Sequence, residues 1–323
     1  MIKFLYFTDT HIRQNNPAGR IDNFMESLLK KFEEISYIVK EYNVDFCVHG
    51  GDILDRPDVS IPTIRSFNKI LMDFGRPIFL VPGNHDIFAY NLNSIQRTVL
   101  ALQEDLGVFN MMMGEFPIYM SKDGTSVELH SAPYSYELDN PEGRDGYIVK
   151  EKKADFAIMF AHGMLMDKPF PMIRHTLIED IKDTKADLTL SGHYHTGFPL
   201  TKIDDKFFYN PGSIARISAT EPDIKRVPKV VVVTLKKDNE PIIETIELKS
   251  AQSGDLVLDR AYLEEKKNEK LHYSSLKTMI ESNTNSDYIN VKNIIESVAN
   301  LQNIDQDVKD YAISLVEEVQ SEL

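Results

Sequence analysis

Cysteine is nearly absent from this 323-residue chain: Cys47 stands alone. One thiol makes no internal disulfide, and within the apolar run VDFCVHGG it fits a buried group in a reducing compartment. Long hydrophobic runs are missing as well. The first apolar stretch, in MIKFLYFTDTH, meets Asp9 too early for a secretory signal, and none approaches the roughly 20 residues of a membrane span. The expectation is a cytoplasmic protein with no membrane partner. Positive charge is short too: 36 Lys and Arg face 50 Asp and Glu, for a net charge of -14. That deficit argues against passive wrapping of nucleic acid, which needs clustered cations. Residues 255–323 hold 14 acidic and 7 basic side chains, half of the net excess. Repeats and low-complexity tracts are lacking. Hydrophobic residues at 42% and charged residues at 27% are ordinary for a globular protein. The length suits one large core, or one core with a small appendage.

What is present up to about Leu248 is an alternation of strands and helices. IKFLYF reads as a buried strand, after which Phe24, Leu28, Phe32, Ile35, Val39 and Tyr42 recur at helical spacing. VDFCVHG, the span from Ile64 to Phe74 and PIFLVPG follow as strand, helix and strand. This β-α-β-α-β pattern predicts a parallel sheet with helices on its faces. After Glu104 short strands dominate: PIYM, SVELHSA, DFAIMFAHG, DLTLSGHYH, FFYNPGS and KVVVVTLK. Two sheets packed together with helices outside are expected over residues 1–249. The polar stretch LKSAQSGD then leads into an acidic helical region, residues 250–323. There Val308, Tyr311, Ala312, Leu315, Val316 and Val319, and separately Val291, Ile294, Ile295 and Val298, predict two amphipathic helices. These pack on their own core or dock a partner, and their basic residues are too few for a membrane-surface helix.

The apolar runs end in a consistent way. FLYFTDTH supplies Asp9 and His11, FCVHGGD supplies Asp52, FLVPGNHD supplies Asn84 and His85, IMFAHG supplies His162, and LTLSGHYH supplies His193 and His195. Ligands of open α/β sheets bind just beyond the carboxyl ends of strands. One His after a strand is more often a hydrogen-bonded structural residue than a ligand. Here five of the nine His fall in such positions. Imidazoles and carboxylates without thiolates suit borderline or hard divalent ions, and the lack of a Cys cluster excludes a thiolate zinc site.

In their order, the motifs D-x-H, G-D, G-N-H-D, H-G and G-H-x-H resemble the calcineurin-like metallophosphoesterase superfamily, over Phe4 to about Ile217 and with no ligand missing. Within it, YFTDTHIR, GDILDRP, VPGNHD and NPGSIAR resemble the SbcD-type DNA repair nucleases, including phage recombination nuclease subunits. The resemblance implies an α/β fold, a four-layer αββα sandwich, with a C-terminal helical extension. It also implies two divalent metal ions, Mn2+ first, with Fe2+, Zn2+ or Mg2+ as alternatives. One ion would be held by Asp9, His11 and His195, the other by Asn84, His162 and His193, with Asp52 bridging. The implied chemistry is in-line attack of a bridging hydroxide without a covalent enzyme intermediate. The ions outweigh the carboxylates, so the local sign is positive for a phosphodiester despite the acidic chain.

In the family the His of G-N-H stabilises the transition state or acts as general acid. His85 matches it, and Asp86 is expected to accept a hydrogen bond from its ring or else to cap the next helix. Arg13 and Arg216 are candidate contacts to DNA phosphates, solvated or ion-paired arginine being an equally good reading. Asp55 stands where some nucleases of the group carry a His. His49 is expected in the core or behind a ligand, and His130, His175 and His272 as structural. The implied function is cleavage of DNA, as exonuclease or endonuclease, with an SbcC-type SMC-like ATPase partner in repair, recombination or replication; a homodimer also fits. Roughly 70 residues follow Lys249, short for the DNA-capping domain usual in the family. Two alternatives stand beside this. One is a stand-alone phosphatase or phosphodiesterase on small molecules or phosphoproteins, since metal motifs alone do not choose the substrate. The other, a non-catalytic scaffold on a decayed fold, is disfavoured by the intact ligand set.

Overall fold

Alternation along β1 (Ile2–Phe7) sets the layering of the protein. Ile2, Phe4 and Tyr6 enter one buried cluster, while Leu5 and Phe7 enter another. Successive side chains of a strand point to opposite faces, so a strand covered on both sides is apolar throughout. The computed structural model describes residues 1–171, 173–261, 264, 295, 299 and 306–321. They fall into two units, Met1–Arg260 and Ala261–Leu323.

The first unit contains two six-stranded sheets. In one, β1 pairs in parallel with β2 (Phe46–His49), which continues in parallel to β3 (Ile78–Leu80) and β4 (Asn110–Met111). The other sheet begins with β5 (Ile118–Lys122), antiparallel to β6 (Thr125–Ala132), which runs parallel to β7 (Phe156–Gly163). A separate short parallel pair follows, β8 (Leu165–Met166) with β9 (Thr176–Leu177). The second sheet then resumes with β10 (Leu188–His193) beside β7, and ends with β11 (Phe198–Ile203) on the edge of β12 (Lys206–Asn210). Finally β13 (Lys229–Leu235) returns antiparallel to β1, and β14 (Ile242–Glu247) forms the edge of the first sheet.

Between the sheets Phe4 stacks on Phe46 at 5.2 Å, and Phe160 of β7 meets Phe4 at 5.7 Å and Tyr6 at 5.9 Å. The other face of the first sheet is covered by α1 (Phe24–Glu41) and α2 (Ile61–Asp73). Asn23 starts α1 by accepting from the Glu26 amide at 3.1 Å, and Phe24, Leu28, Phe32, Ile35 and Val39 are buried as their spacing predicts. Pro62 sits in the first turn of α2, where its missing N–H costs nothing. The outer face of the second sheet presents Ala157, Met159 and Ala161 to residues of the 3-10 turns Arg144–Tyr147 and Ile178–Ile181. The fold is thus the expected two-sheet αββα arrangement, with short 3-10 turns supplying the layer over the second sheet.

Five strands escape sequence reasoning: β4, β8 and β9, at two residues each, are too short to carry a pattern, and two longer strands hide theirs. β11 contains Pro199, which is tolerated on an edge strand and masks the pattern. β14 is a half-exposed edge. The first unit also continues past the boundary expected at 249: Val257 and Leu258 are buried, the Ile21 amide donates to the Val257 carbonyl at 3.2 Å, and Leu258 bridges to Arg20. In the second unit, helix Gln306–Ser321 covers the predicted Val308–Val319 span. The other predicted helix lies outside the described residues except for Ile295, which is helical. Among the described residues no helix is long and apolar enough to cross a membrane. Truncation at the centre of the inter-sheet contact, Phe160→Ala, is expected to cost about 3–5 kcal/mol, read as a lower midpoint in urea unfolding with an unchanged slope.

Candidate metal centre

Strand ends of both sheets deliver polar side chains to one place. From β1 come Asp9 and His11, from β2 Asp52, from β3 Asn84 and His85, from β7 His162, and from β10 His193 and His195. Ligand-type atoms of Asp9, His11, Asp52 and His195 lie within 4.8 Å of one another, as do those of Asp52, His162 and His193. Asp52 belongs to both groups. The ring nitrogens Nε2 of His11 and His195 are 3.0 Å apart, and His195 Nε2 is 3.4 Å from Asp9 Oδ1. On the other side His162 Nε2 is 3.3 Å from Asp52 Oδ2 and 3.3 Å from Asn84 Oδ1. Atoms bound to one ion at about 2.0–2.2 Å stand about 3 Å apart. The donor set is nitrogen and oxygen without sulfur, which suits borderline or hard divalent ions. His162 Nδ1 donates to the Gly50 carbonyl at 2.8 Å, which leaves Nε2 as the ligating atom. The residues present therefore fit a pair of divalent ions.

Local backbone conformation brings these groups together at a cost. Asp9, His11, Asp52 and His193 have φ of 53°, 44°, 51° and 74°. This left-handed region is unfavourable for residues with a Cβ, and each such residue costs about 1–3 kcal/mol. Hydrogen bonds hold the turns: Asp9 N to Gly51 O and His11 N to Asp52 O, both 3.0 Å, join the loops after β1 and β2. Gly51 has φ +105°, and a Cβ there would lie 2.1 Å from His162 Nδ1. Only glycine admits the imidazole so close.

Burial raises the cost of charge: it lifts Asp86, beside the Asp52 charge, to about 7, yet Asp9 and Asp52 stay ionised. Burial pushes Asp52 up, but the charges of His162 and His11 and the His162 hydrogen bond hold it well below its ordinary value. Asp9 behaves likewise, its burial outweighed by His195 and His162. For His162 burial acts downward and Asp52 more than reverses it, to about 9. Burial lowers His11 to about 3 and His193 to about 4, so these two are neutral and ready to bind metal at neutral pH.

Several expectations change in the structure. The Asp86 carboxylate does not meet the His85 ring; it accepts from the amides of Leu54 at 3.0 Å and Gly83 at 2.9 Å, tying the loops after β2 and β3. His85 Nδ1 pairs instead with the Asp55 carbonyl at 2.9 Å, and the His85 amide donates to Asp52 Oδ1 at 2.8 Å. A backbone carbonyl carries no residue signature, so sequence reasoning could not find this role of Asp55. Arg216 is buried and donates to the carbonyls of Arg226 and Gln252, so it is not placed to touch DNA.

It belongs to a buried group with Arg20, Lys31 and Arg226. Lys31 Nζ donates to Ile214 O at 2.8 Å, and Arg226 donates to the carbonyls of Ser213 and Ala215. The amides of Ser213, Ile214 and Ala215 in turn bond His195 O, Thr8 O and Asp9 O. These cations thereby steady the loop that supports two metal-type ligands. Arg13 pairs with Asp55 at 3.0 Å and lines a polar cleft of about 120 Å3 with Arg56, Ser60 and Thr63. His49 is buried against Phe7 and bonded to Thr10, a core role. His130 pairs with Glu128, His175 bonds the Ile173 carbonyl, and His272 lies outside the described residues. Thr8, whose hydroxyl donates to Asp9 Oδ2 at 2.7 Å, and Tyr134, whose ring lies 5.7 Å from that of His193, were not foreseen.

Two outcomes are expected. In the metal-free protein His162, raised above 6.5, stabilises the fold fully below that value, and the contribution is lost as pH rises through about 9. The depressed Asp52 stabilises above its ordinary 3.8 and loses this as pH falls. A metal must displace the His162 proton, so affinity is expected to rise between pH 7 and 9 with proton release. Calorimetry in buffers of different ionisation enthalpy measures this, and pH-independent affinity would contradict it. Asp86→Asn leaves one amide unaccepted, for a loss of about 1–3 kcal/mol in urea unfolding of the metal-free chain that shrinks as pH rises through about 7, where the buried Asp86 charge already weakens the parent.

Comparison with known proteins agrees with this geometry. A model of the calcineurin-like phosphoesterase family matches residues 2–197. Among curated proteins the chain is similar to the DNA double-strand break repair protein Mre11 of Archaeoglobus fulgidus, 25% identical over 263 residues, 71% of this chain and 53% of that one. The Mre11 of Methanococcus maripaludis is 32% identical over 91 residues, 27% of this chain and 23% of that protein. The chain thus spans about half the length of the Archaeoglobus relative, and less than that of the second. A solved Staphylococcus aureus structure described as a 5'-nucleotidase has a TM-score of 0.52 at 16% identity, covering 83% of this chain and 57% of that one, a likeness of fold. Because the family model takes in the strands and loops from Asp9 to His195, the chain belongs to the calcineurin-like phosphoesterases, hydrolases of phosphoester bonds whose fold binds two divalent metals.

Proposed function

We propose that this chain is a Mn2+-dependent DNA phosphodiesterase, the nuclease subunit of a repair, recombination or replication complex with an SMC-like ATPase. The observation that carries the reading is the joint position of Asp52 and His85. One oxygen of Asp52 faces His162 and the other accepts the His85 amide, so an imidazole stands beside a carboxylate shared by two ligand groups. Similarity to two Mre11 proteins supports DNA as the substrate.

The chemistry that divalent ions would supply at this site is acidification of a water near neutral pH and offset of charge gathering on the phosphate. Asp9, His11 and His195 would hold one ion, Asn84, His162 and His193 the other, with Asp52 shared between the two sets. The chain's own contribution centres on His85. Its Nδ1–H donates to the Asp55 carbonyl, so Nε2 is the nitrogen turned to substrate, and it hydrogen-bonds a phosphate oxygen or protonates the departing sugar oxygen from the doubly protonated, imidazolium ring. Its ring stands edge-on to His11 at 4.7 Å, so its reach is set by the same loop. Arg13 and Arg56 in the adjoining cleft are suited to the next phosphate along the strand. The exposed Val308, Tyr311 and Leu315 on helix Gln306–Ser321 suit docking to the ATPase.

The test is cleavage of labelled linear and hairpin DNA with Mn2+, by the chain alone and with its ATPase. His85→Ala is expected to lower kcat about 10²–10⁴-fold while metal content, read by elemental analysis, stays at the parental level. Hydrolysis of a simple aryl phosphate without any cleavage of DNA, in the presence of the ATPase, would instead assign a small-molecule phosphatase.

A further inference from the structure

A cleft of about 350 Å3 opens beside the second ligand group, lined by Tyr134, Tyr136, Met164, Ile173, Arg174 and by His193 itself. Its volume lies in the range of small-ligand sites, about 300–1,000 Å3. Three features separate it from an ordinary surface depression. The Tyr134 ring lies 5.7 Å from His193 and 6.5 Å from His162, against the metal-type ligands and partly exposed. Its backbone amide is tied to Pro82 O at 3.0 Å, on the same loop that carries Asn84 and His85. The cleft wall is also stiff, because Asp139 is fixed by Tyr147 Oη, Met164 N and Thr176 Oγ1 at 2.8–2.9 Å.

The third feature is conformational. Ala89 and Tyr90, just after the G-N-H-D loop, are consecutive residues with φ of 50° and 56°. Neither Ala nor Tyr favours this region, and strain of this kind persists where surrounding structure imposes it. It places the Tyr90 ring, 61% exposed, 6.1 Å from that of Tyr134. Two tyrosines and His193 therefore form a ledge that rises from the metal centre. Across the cleft Arg174 lies 5.2 Å over the Tyr136 ring, a cation at the rim of an aromatic pocket.

The geometry points to this ledge as the seat of a nucleobase, stacked on Tyr134 while the phosphate of the same nucleotide occupies the metal centre. The inference rests on the DNA phosphodiesterase reading and deepens it by naming what the enzyme grips besides phosphate. Every base has a flat π-face, so stacking holds a nucleotide without choosing its sequence. An aliphatic phosphoester has no group to cover the exposed rings. Arg174 is placed to meet the base edge or a flanking phosphate. Tyr134 acts here through contact with the substrate base and takes no part in bond cleavage.

The test is calorimetric binding of thymidine 5'-monophosphate and of deoxyribose 5-phosphate to the Mn2+-loaded full chain. The base is expected to raise affinity roughly ten- to hundred-fold, the size of one base–aromatic stack. Tyr134→Ala should abolish that advantage and Tyr134→Phe should keep it. Because Tyr134 also packs on the core, Tyr90→Ala, at an exposed ring, serves as the second variant and should lose several-fold. Equal affinity of the parent for the two ligands, or a base advantage unchanged in both alanine variants, overturns the ledge. Oligonucleotide cleavage is scored separately, with the ATPase present. Cleavage without a base advantage removes the ledge and leaves the nuclease, whereas a Tyr134-dependent base advantage without cleavage removes DNA as substrate and leaves the ledge.

Discussion

The carboxylate of Asp52 is the point at which two sheets become one site. Each sheet buries an apolar face against the other, and this brings β2 and β7 close enough for Asp52 Oδ2 to lie 3.3 Å from His162 Nε2. The other oxygen holds the amide of His85, from the loop after β3. One buried negative charge thus organises ligands from both halves of the sandwich, and the histidine facing it is charged in return. Packing of Phe4, Phe46 and Phe160 supplies the scaffold, and the ion pair supplies the register. Removing one partner of such a buried pair is far more damaging than replacing both.

The price of convergence is visible in the backbone. Four of the ligand-type residues adopt a conformation that most residues avoid, and the loops that hold them are cross-tied by amide–carbonyl bonds. Divalent ions that bind only the folded chain would stabilise it by mass action, so the centre that weakens the metal-free fold is also the place where ligand binding restores it. Local strain and function coincide at the same residues.

Much of this was legible in the primary structure because each ligand-type side chain follows directly on an apolar strand, and that juxtaposition needs no tertiary knowledge. Alternation within IKFLYF and DFAIMFAHG likewise foretold strands covered on both faces. The failures have a common cause. Asp86 adjoins His85 in sequence, yet its carboxylate is turned to the amides of Leu54 and Gly83. Arg216 adjoins a loop of the centre, yet it is enclosed by Gln252 and Arg226, which are distant or unremarkable in sequence. The partner of His85 is a main-chain oxygen of Asp55, for which no residue type is required. Proximity along the chain was mistaken for proximity of functional atoms, and Tyr134, which no motif marks, was passed over.

The buried cations behind the loop from Ser213 to Arg216 lead to a separation that surface charge alone would not give. Arg226 acts electrostatically on both Asp9 and His195, from a largely buried position. Dissolved ions screen exposed charges over about 8 Å at physiological strength but reach enclosed ones much less. The hold of this enclosed group on Asp9 and His195 should therefore persist in brine, while the partly exposed Arg13–Asp55 pair weakens. The loop beneath two of the metal-type ligands is in this way held by charges that dissolved salt reaches little.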